Sequence, residues 1–268
     1  MKPSQTRYNK LSDKQLRILK ITYKFRYITA PTLASYLGLS SRQAVYSGLE
    51  RLRKQEYLLE RKNDNTNFSN KGTRYALAGK SFKLLAMLPN TNPNVLHARY
   101  KDKYSSEEFI THAIYVFRAY QLIKSTYPST YTMYTEYEVY GQPYFPERLP
   151  HLYLHQTELG QDIFLDILDY EQFFKTKERL TKYLESYETG DWENETGRPF
   201  PVLLFVCTDT RIEKRFQKYV NNLLDGNGID EIRIYTTTLK ALLRLDKQNS
   251  EIWTNVLELE KIIGLDNL

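Results

Sequence analysis

The sequence contains few of the residues that build covalent or metal-based frameworks. It has one cysteine, Cys207, and four histidines among 268 residues. A single cysteine excludes an internal disulfide framework and any metal site that needs several thiolates. We therefore expect a cytoplasmic protein, because the cytosol keeps thiols reduced and its proteins seldom depend on disulfides.

Long apolar runs are missing as well. Runs such as residues 201–207 are far shorter than the roughly 20 residues that a membrane-spanning helix needs. The first ten residues, MKPSQTRYNK, are followed by no apolar segment, so we expect no secretory signal. We therefore expect no membrane partner. The sequence also contains no phosphate-binding loop, no dinucleotide fingerprint and no Ser/His/Asp spacing, so we expect no cofactor.

Charge is distributed unevenly along the chain. The whole sequence has a net charge of +6, but residues 1–100 hold 19 Lys and Arg against 5 Asp and Glu, a net charge of +14. The remaining residues hold 19 basic and 27 acidic side chains, a net charge of −8. A basic first third joined to an acidic remainder predicts a module that binds a polyanion, next to a domain with another task.

Helix start and stop signals predict three short helices in the first 54 residues. Ser12 begins a capping box that starts a helix ending near Tyr27. Thr29 is the expected N-cap of a second helix, which ends at Gly38. A third helix is expected over residues 41–54. Helices joined by such short turns are typical of a helix-turn-helix.

The third helix separates into an apolar face and a polar face. Val45, Leu49 and Leu52 fall on one side, where they predict a buried contact. Arg42 and Gln43 open the polar side, and these side chains can pair bidentately with guanine and adenine. The candidate DNA-contacting residues of this helix are Ser41, Arg42, Gln43, Tyr46, Ser47, Arg53 and Lys54.

A predicted hairpin follows the third helix. Its strands cover residues 57–61 and 73–77, and a polar loop lies between them. A hairpin in this position is the wing of a winged helix, and basic residues beside its loop predict contacts with DNA phosphates. The candidates are Arg61, Lys62, Lys71 and Arg74. A module of the same shape that uses its wing as a protein contact is the alternative.

Domain boundaries follow from these elements. A helix over about 80–88 closes the predicted winged-helix DNA-binding domain, which covers residues 1–88. Residues 89–105, rich in Pro, Asn and Thr at their start, predict a linker. Residues 106–268 form the predicted second domain.

The second domain has the pattern of an α/β fold with a mixed sheet. Helices are expected at about 107–125, 171–188, 211–224 and 238–245. Strands are expected at 131–140, 152–154, 163–168, 201–207 and 232–235. Three consecutive strands followed by helix crossovers give a mixed sheet, and this order resembles a restriction-endonuclease-like core.

Segments from both halves of the chain resemble the replication–relaxation family. The N-terminal segments are LSDKQLRILKITYKFRYITAPTLASYLGLSSRQAVYSGLERLRKQEYLLERK and TRYALAGKSF, and the C-terminal ones are FLDILDYEQFFKTKERLTKYLESY and PVLLFVCTD. The resemblance implies a winged helix joined to a nuclease-like domain. It also implies a protein of a plasmid or mobile element that takes part in replication or in the relaxosome.

The nuclease-like pattern is incomplete at its catalytic positions. Such a core uses carboxylates that hold Mg²⁺ and a lysine that orients water. Here His151 stands where an aspartate is expected, Asp166 keeps its place, and Leu168 takes the lysine position. We therefore expect no enzyme activity and no metal site. A nuclease that combines Asp166 with Asp162 and Glu107 remains an alternative, whereas the pair His151 and His155 lacks a third zinc ligand.

Together these features predict a sequence-specific double-stranded DNA-binding protein of a plasmid or mobile element. We expect it to act as an accessory factor in replication or conjugative transfer, as a homodimer, with a relaxase or a replication initiator as a possible partner. The alternatives are a transcriptional regulator with a C-terminal dimerisation or sensing domain, and a Mg²⁺-dependent nuclease.

Overall fold

The computed structural model of the protein describes residues 11–61, 73–168, 173–228 and 231–268. The chain divides into two compact units, Met1–Ile114 and Tyr115–Leu268. Within the described residues, no helix is long and apolar enough to cross a membrane.

The N-terminal unit combines short helices with an antiparallel sheet. Its strands pair in the order β1-β3-β2, so the predicted hairpin β2–β3 gains a third strand next to β3. The elements are α1 (Asp13–Phe25), β1 (Ile28–Thr29), α2 (Ala30–Tyr36), α3 (Arg42–Lys54), β2 (Leu58–Arg61), β3 (Arg74–Leu77), α4 (Gly79–Leu85), α5 (Pro93–Tyr100), a 3-10 helix (Lys101–Tyr104) and the start of α6 (Glu107–Thr126).

The first three helices begin at hydroxyl caps, and the first two of these caps are predicted from the sequence. Ser12 and Gln15 form the full capping box of α1, in which the Ser12 N–H donates to Gln15 Oε1 at 2.9 Å. Thr29 and Ser41 cap α2 and α3 by accepting backbone N–H bonds. Gly38 has a φ of +67°, a left-handed conformation that glycine adopts without strain, and it terminates α2.

The amphipathic division of α3 is also confirmed. Leu49 and Leu52 are fully buried and Val45 nearly so, whereas most residues on the opposite face are exposed. Gly48 faces α1, since a Cβ added there would meet Ile18 Cδ1 at 3.9 Å. Thus α3 is held against the rest of the unit by one face only, and its polar face is left open to solvent.

The segment predicted as a linker is folded. Asn92 accepts the N–H groups of Asn94 and Val95 and is the N-cap of α5, and Pro93 occupies the first turn. Asn and Pro in this stretch therefore start a helix, although the same residues are also typical of linkers. Leu96, on the inner face of α5, is buried.

Polar contacts join the same segment to α1. Arg99 Nε donates to the carbonyl oxygen of Tyr23 at 3.0 Å, and Arg26 lies 2.5 Å from the buried carboxylate of Asp102. The hydroxyl of Tyr27 donates to the Asp102 carbonyl oxygen. Residues 93–104 thus belong to the N-terminal unit and do not connect two independent domains.

The C-terminal unit is built on a mixed seven-stranded sheet in the order β10-β9-β8-β7-β6-β5-β4. Strands β6, β7 and β8 are parallel, and the pairs on either side of them are antiparallel. After α6 the elements are β4 (Thr132–Thr135), α7 (Glu136–Val139), β5 (Leu152–Gln156), β6 (Gln161–Leu168), α8 (Phe173–Thr189), α9 (Asp191–Thr196), β7 (Val202–Cys207), α10 (Thr210–Asn227), β8 (Ile234–Thr238), α11 (Leu239–Leu242), β9 (Trp253–Asn255), β10 (Ile262–Ile263) and a 3-10 helix (Leu265–Asn267).

This confirms the predicted mixed sheet, with two differences. The strand predicted over 131–140 ends at Thr135, because Thr135 and Glu138 form a capping box that starts α7. Strands β9 and β10 were not predicted, since they are only three and two residues long. Every residue of β7 is buried, as expected for a central parallel strand that is covered on both faces.

Candidate nucleic-acid interface

The polar face of α3 is the most accessible of the predicted sites. Arg42, Gln43, Ser47 and Lys54 are exposed, and 42% of Tyr46 is accessible to solvent. Ser41 is also exposed, but its hydroxyl accepts the Ala44 N–H and serves as the helix cap. An open depression of about 400 Å³ runs along this face. It is lined by Gln43, Tyr46, Ser47, Glu50, Arg51, Lys54 and Gln55.

Arg51 also belongs to this face, although it is not among the contacts predicted from the sequence. At about 100° per residue, Arg51 lies only about 40° around the helix from Ser47, whereas Arg53 lies about 120° away. Arg51 is exposed and lines the depression beside Lys54. A helical projection of the sequence identifies Arg51, because it places this residue on the side of α3 away from Val45, Leu49 and Leu52.

Arg53 is committed to acidic neighbours within its own unit. Its Nη2 lies 2.8 Å from Glu50 Oε2 and its Nε lies 3.6 Å from Glu60 on β2. Hydrogen bonds from Arg53 lower the pKa of Glu50, and the hydroxyl of Tyr75 donates to the same carboxylate at 2.8 Å. Arg53 therefore ties α3 to the sheet, and these ion pairs compete with the contact to DNA that the sequence predicts for it.

Two of the four residues predicted to contact phosphate form hydrogen bonds or ion pairs within the N-terminal unit. The side chain of Arg74 is 3% exposed and its Nη1 lies 2.5 Å from Glu107 Oε2, so it is not available to a phosphate. Arg61 donates to the carbonyl oxygens of Lys103 and Ser105, the latter at 2.9 Å. Both arginines fasten the hairpin to the segment that leads into α6. Lys62 and Lys71 lie outside the described residues.

In the C-terminal unit the predicted nuclease positions come together, but around an arginine. His151 precedes β5, and its Nδ1 lies 3.1 Å from Asp166 Oδ1 on β6. Arg179 of α8 contacts the same oxygen at 2.8 Å, and the Tyr183 hydroxyl donates to Oδ2. The Asp166 side chain is 1% exposed. Its charge is therefore compensated by a buried arginine, and water reaches it poorly.

Asp162, four residues earlier on β6, has a matching set of partners. It contacts Tyr153 Oη at 2.7 Å, His155 Nδ1 at 2.8 Å and Arg198 Nε at 2.5 Å. Each of the two aspartates thus has one histidine, one tyrosine and one arginine as neighbours. In the described part of the chain, no group of three or more His, Cys, Asp and Glu side chains is placed to hold a metal ion.

The other predicted catalytic acid and the single thiol lie elsewhere. Glu107 pairs with Arg74 in the N-terminal unit. Cys207 is fully buried at the end of β7, and that burial raises the pKa of its thiol. A thiol in such surroundings is a packing residue, since the reactive form is the thiolate.

These contacts define a class of site: the exposed polar face of an amphipathic helix, held by its apolar face in a small unit with an antiparallel sheet. Comparison with known proteins adds no relative, because no family model and no curated sequence matches the chain.

Proposed function

We propose that the chain is a sequence-specific double-stranded DNA-binding protein, and that its N-terminal unit is a winged helix-turn-helix. The observation that carries this proposal is the exposure of Arg42 and Gln43 in the first turn of α3, a helix whose apolar residues are buried against the rest of the unit. In a helix-turn-helix, first-turn residues of the second helix meet base edges in the major groove.

Geometry and charge agree with a duplex ligand. Helix α3 has 13 residues, so it is about 20 Å long, which suits a major groove. The hairpin β2–β3 follows it directly, in the position of a wing. The net charge of +14 over residues 1–100 favours a polyanion. Lys54 and Arg51 on α3, with Lys62 and Lys71, which the sequence predicts beside the wing, are the proposed phosphate contacts.

The biological role is proposed from the resemblance to the replication–relaxation family. We propose a cytoplasmic accessory factor of replication or conjugative transfer on a plasmid or mobile element, acting as a homodimer beside a relaxase or a replication initiator. The C-terminal unit would then be a restriction-endonuclease-like core without catalysis. The mixed sheet and the Arg179–Asp166 pair support this interpretation. A transcriptional regulator is the second proposal, because the same α3 face would read an operator.

The experiment is selection of bound sequences from a random duplex pool with the full chain. A recovered motif should be contacted by α3, so the variant Arg42→Ala should lose the preference at one base pair of the motif, whereas Lys83→Ala, an exposed change on α4, should keep the whole motif. Recovery of no motif above the starting pool would refute the proposal. A motif located at a replication or transfer origin favours the accessory role, and one at a promoter favours the regulator.

A further inference from the structure

The outer face of α10 carries a stripe of positive charge. At about 100° per residue, Arg211, Lys214, Arg215 and Lys218 fall within one sector of about 100°, opposite the buried Phe216. All four are exposed. The stripe extends over seven residue steps, or about 10 Å along the helix. It is unexpected in this half of the chain, because residues 101–268 have a net charge of −8.

The cations of the stripe are not neutralised by neighbouring acids. Among the described residues, none of the four forms an ion pair with a carboxylate. Glu213, on the same helix, is partly buried, and Asp209 is used as the N-cap of α10, where it accepts the N–H groups of Arg211 and Ile212. A charged surface of this kind attracts anions, and the attraction weakens as salt is added.

Aromatic rings border the stripe on the side of α8. The guanidinium carbon of Arg215 lies 4.0 Å from the centre of the Phe173 ring, and Lys177 Nζ lies 4.4 Å from the Tyr219 ring. The Phe173 and Tyr219 rings meet edge to face, with centroids 6.1 Å apart. Cations and rings therefore alternate across the junction of α8 and α10, as they do on surfaces that bind bases and phosphates together.

One ring beside this junction is open to solvent. Phe174 is 58% exposed, and it lies about 60° around α8 from Lys177. Its flat face is therefore available for stacking. Glu178, one turn further along α8, is exposed and limits the basic surface on that side.

We infer that the α8–α10 face binds single-stranded nucleic acid, with phosphates on Lys214, Lys218 and Arg211 and a base stacked on Phe174. Single strands expose bases that can stack on an aromatic side chain, whereas the bases of a duplex are already stacked on each other. A peptide of acidic residues alone, such as poly-glutamate, would pair with the cations but leave Phe174 without a partner. This site is distinct from the proposed duplex site, since it lies in the other unit and takes a different ligand.

The charge arm of the test uses the full chain and fluorescein-labelled dT20, followed by anisotropy at several salt concentrations. The variant Lys214→Gln/Lys218→Gln should weaken binding roughly tenfold or more and lower the salt slope by about 1.4, the value for two lost contacts with a single strand. The matched control, Lys240→Gln/Lys247→Gln, removes two exposed lysines elsewhere in the same unit and should leave the slope unchanged. Equal losses in both variants would overturn the inference.

The stacking arm distinguishes a nucleic acid from another polyanion. Phe174→Ala should weaken the binding of dT20 about fivefold or more, whereas Phe174→Trp should retain it. Heparin should bind equally to the wild type and to both variants. If heparin or poly-glutamate competed as well as dT20 and Phe174→Ala had no effect, the surface would bind acidic proteins and the inference would be wrong. Failure of the wild-type chain to bind dT20 would also overturn it.

Duplex binding in the same samples keeps this inference separate from the proposed function. The variants Lys214→Gln/Lys218→Gln and Phe174→Ala should bind the selected duplex with the affinity of the wild type. Arg42→Ala should likewise bind dT20 with the affinity of the wild type. A chain that bound dT20 through α10 but no duplex would support this inference and refute the proposed function.

Discussion

Arg179 and Asp166 form a buried ion pair, with Nη1 of the arginine 2.8 Å from Oδ1 of the aspartate and both side chains less than 5% exposed. The pair connects α8 to β6 beneath the aromatic core that contains Phe164 and Tyr183. Removing one member of a buried pair leaves an uncompensated charge, which costs more than removing both.

Arg179→Met should lower the free energy of unfolding of the C-terminal unit by about 3–5 kcal/mol, since Asp166 would remain buried without its partner. The double variant Arg179→Met/Asp166→Asn should recover a large part of that loss. Tryptophan fluorescence during urea denaturation measures it, because Trp192 and Trp253, the two tryptophans of the chain, are both buried in this unit. A double variant as unstable as the single one would show that the pair is not the cause.

The same pair predicts that the C-terminal unit does not cleave DNA. Asp166 is compensated by Arg179 and hydrogen-bonded by Tyr183, so it would have to break these contacts to bind Mg²⁺. Incubation of the full chain with single-stranded, duplex and supercoiled DNA, in Mg²⁺ and in Mn²⁺, should leave the DNA intact. Nicking that disappears in Asp166→Ala would establish the nuclease alternative.

Neighbouring arginines on α3 should behave differently. Arg51 is exposed at the outward face of α3. Arg51→Gln should therefore weaken binding to all duplexes about equally and lower the salt dependence of that binding by about one unit of slope. Arg53 is paired with Glu50 and Glu60, so Arg53→Gln should leave the slope unchanged while reducing thermal stability. The two variants lose the same charge two residues apart, and identical salt slopes would contradict the assignment.

Asp102 should make the N-terminal unit less stable as pH rises. Burial raises the pKa of Asp102 above 3.8, and the nearby Arg26 opposes this only in part. At a pH between the unfolded and folded pKa values, the folded state therefore binds this proton more fully than the unfolded state does. The contribution to stability is complete below the ordinary carboxyl pKa and declines as pH rises through the raised one.

Hydrogen exchange of peptides from α1 and α5 measures this effect over a pH range that begins below the ordinary carboxyl pKa and rises through the raised one. Relative to Asp102→Asn, which does not titrate, the wild type should lose protection over that range. A relative gain would show that the ion pair with Arg26 outweighs burial and lowers the pKa.

Local signals in the sequence predict the helices and their buried faces well, but they do not predict which partners the charged side chains have. The cap at Ser12 and the apolar face around Leu49 depend on neighbours within one helix, and both are confirmed. The predicted phosphate contact of Arg74 rests on its place beside the wing, and no local pattern shows its acidic partner, Glu107, which is 33 residues away in the chain. The start of α5 at Asn92 was missed because a helix cap and a linker use the same residue types.

Arg42 is expected to be the main base-reading side chain. It is exposed in the first turn of α3 and no ion pair within the described residues engages it, so its guanidinium is free to form a bidentate contact with guanine. Arg42→Ala should reduce discrimination at one base pair of the selected site by about 1–3 kcal/mol, with a smaller effect on nonspecific duplex. Arg51→Gln should do the reverse, because a phosphate contact carries no sequence information.

Competition binding with duplexes substituted at single positions measures both effects, and Lys83→Ala on α4 serves as the control for loss of charge. If α3 lies in the major groove, the position that loses discrimination in Arg42→Ala should be a G·C pair, and Gln43→Ala should affect an adjacent A·T pair. Loss of affinity without loss of discrimination in both variants would mean that α3 contacts only the backbone, and the proposed recognition helix would be wrong.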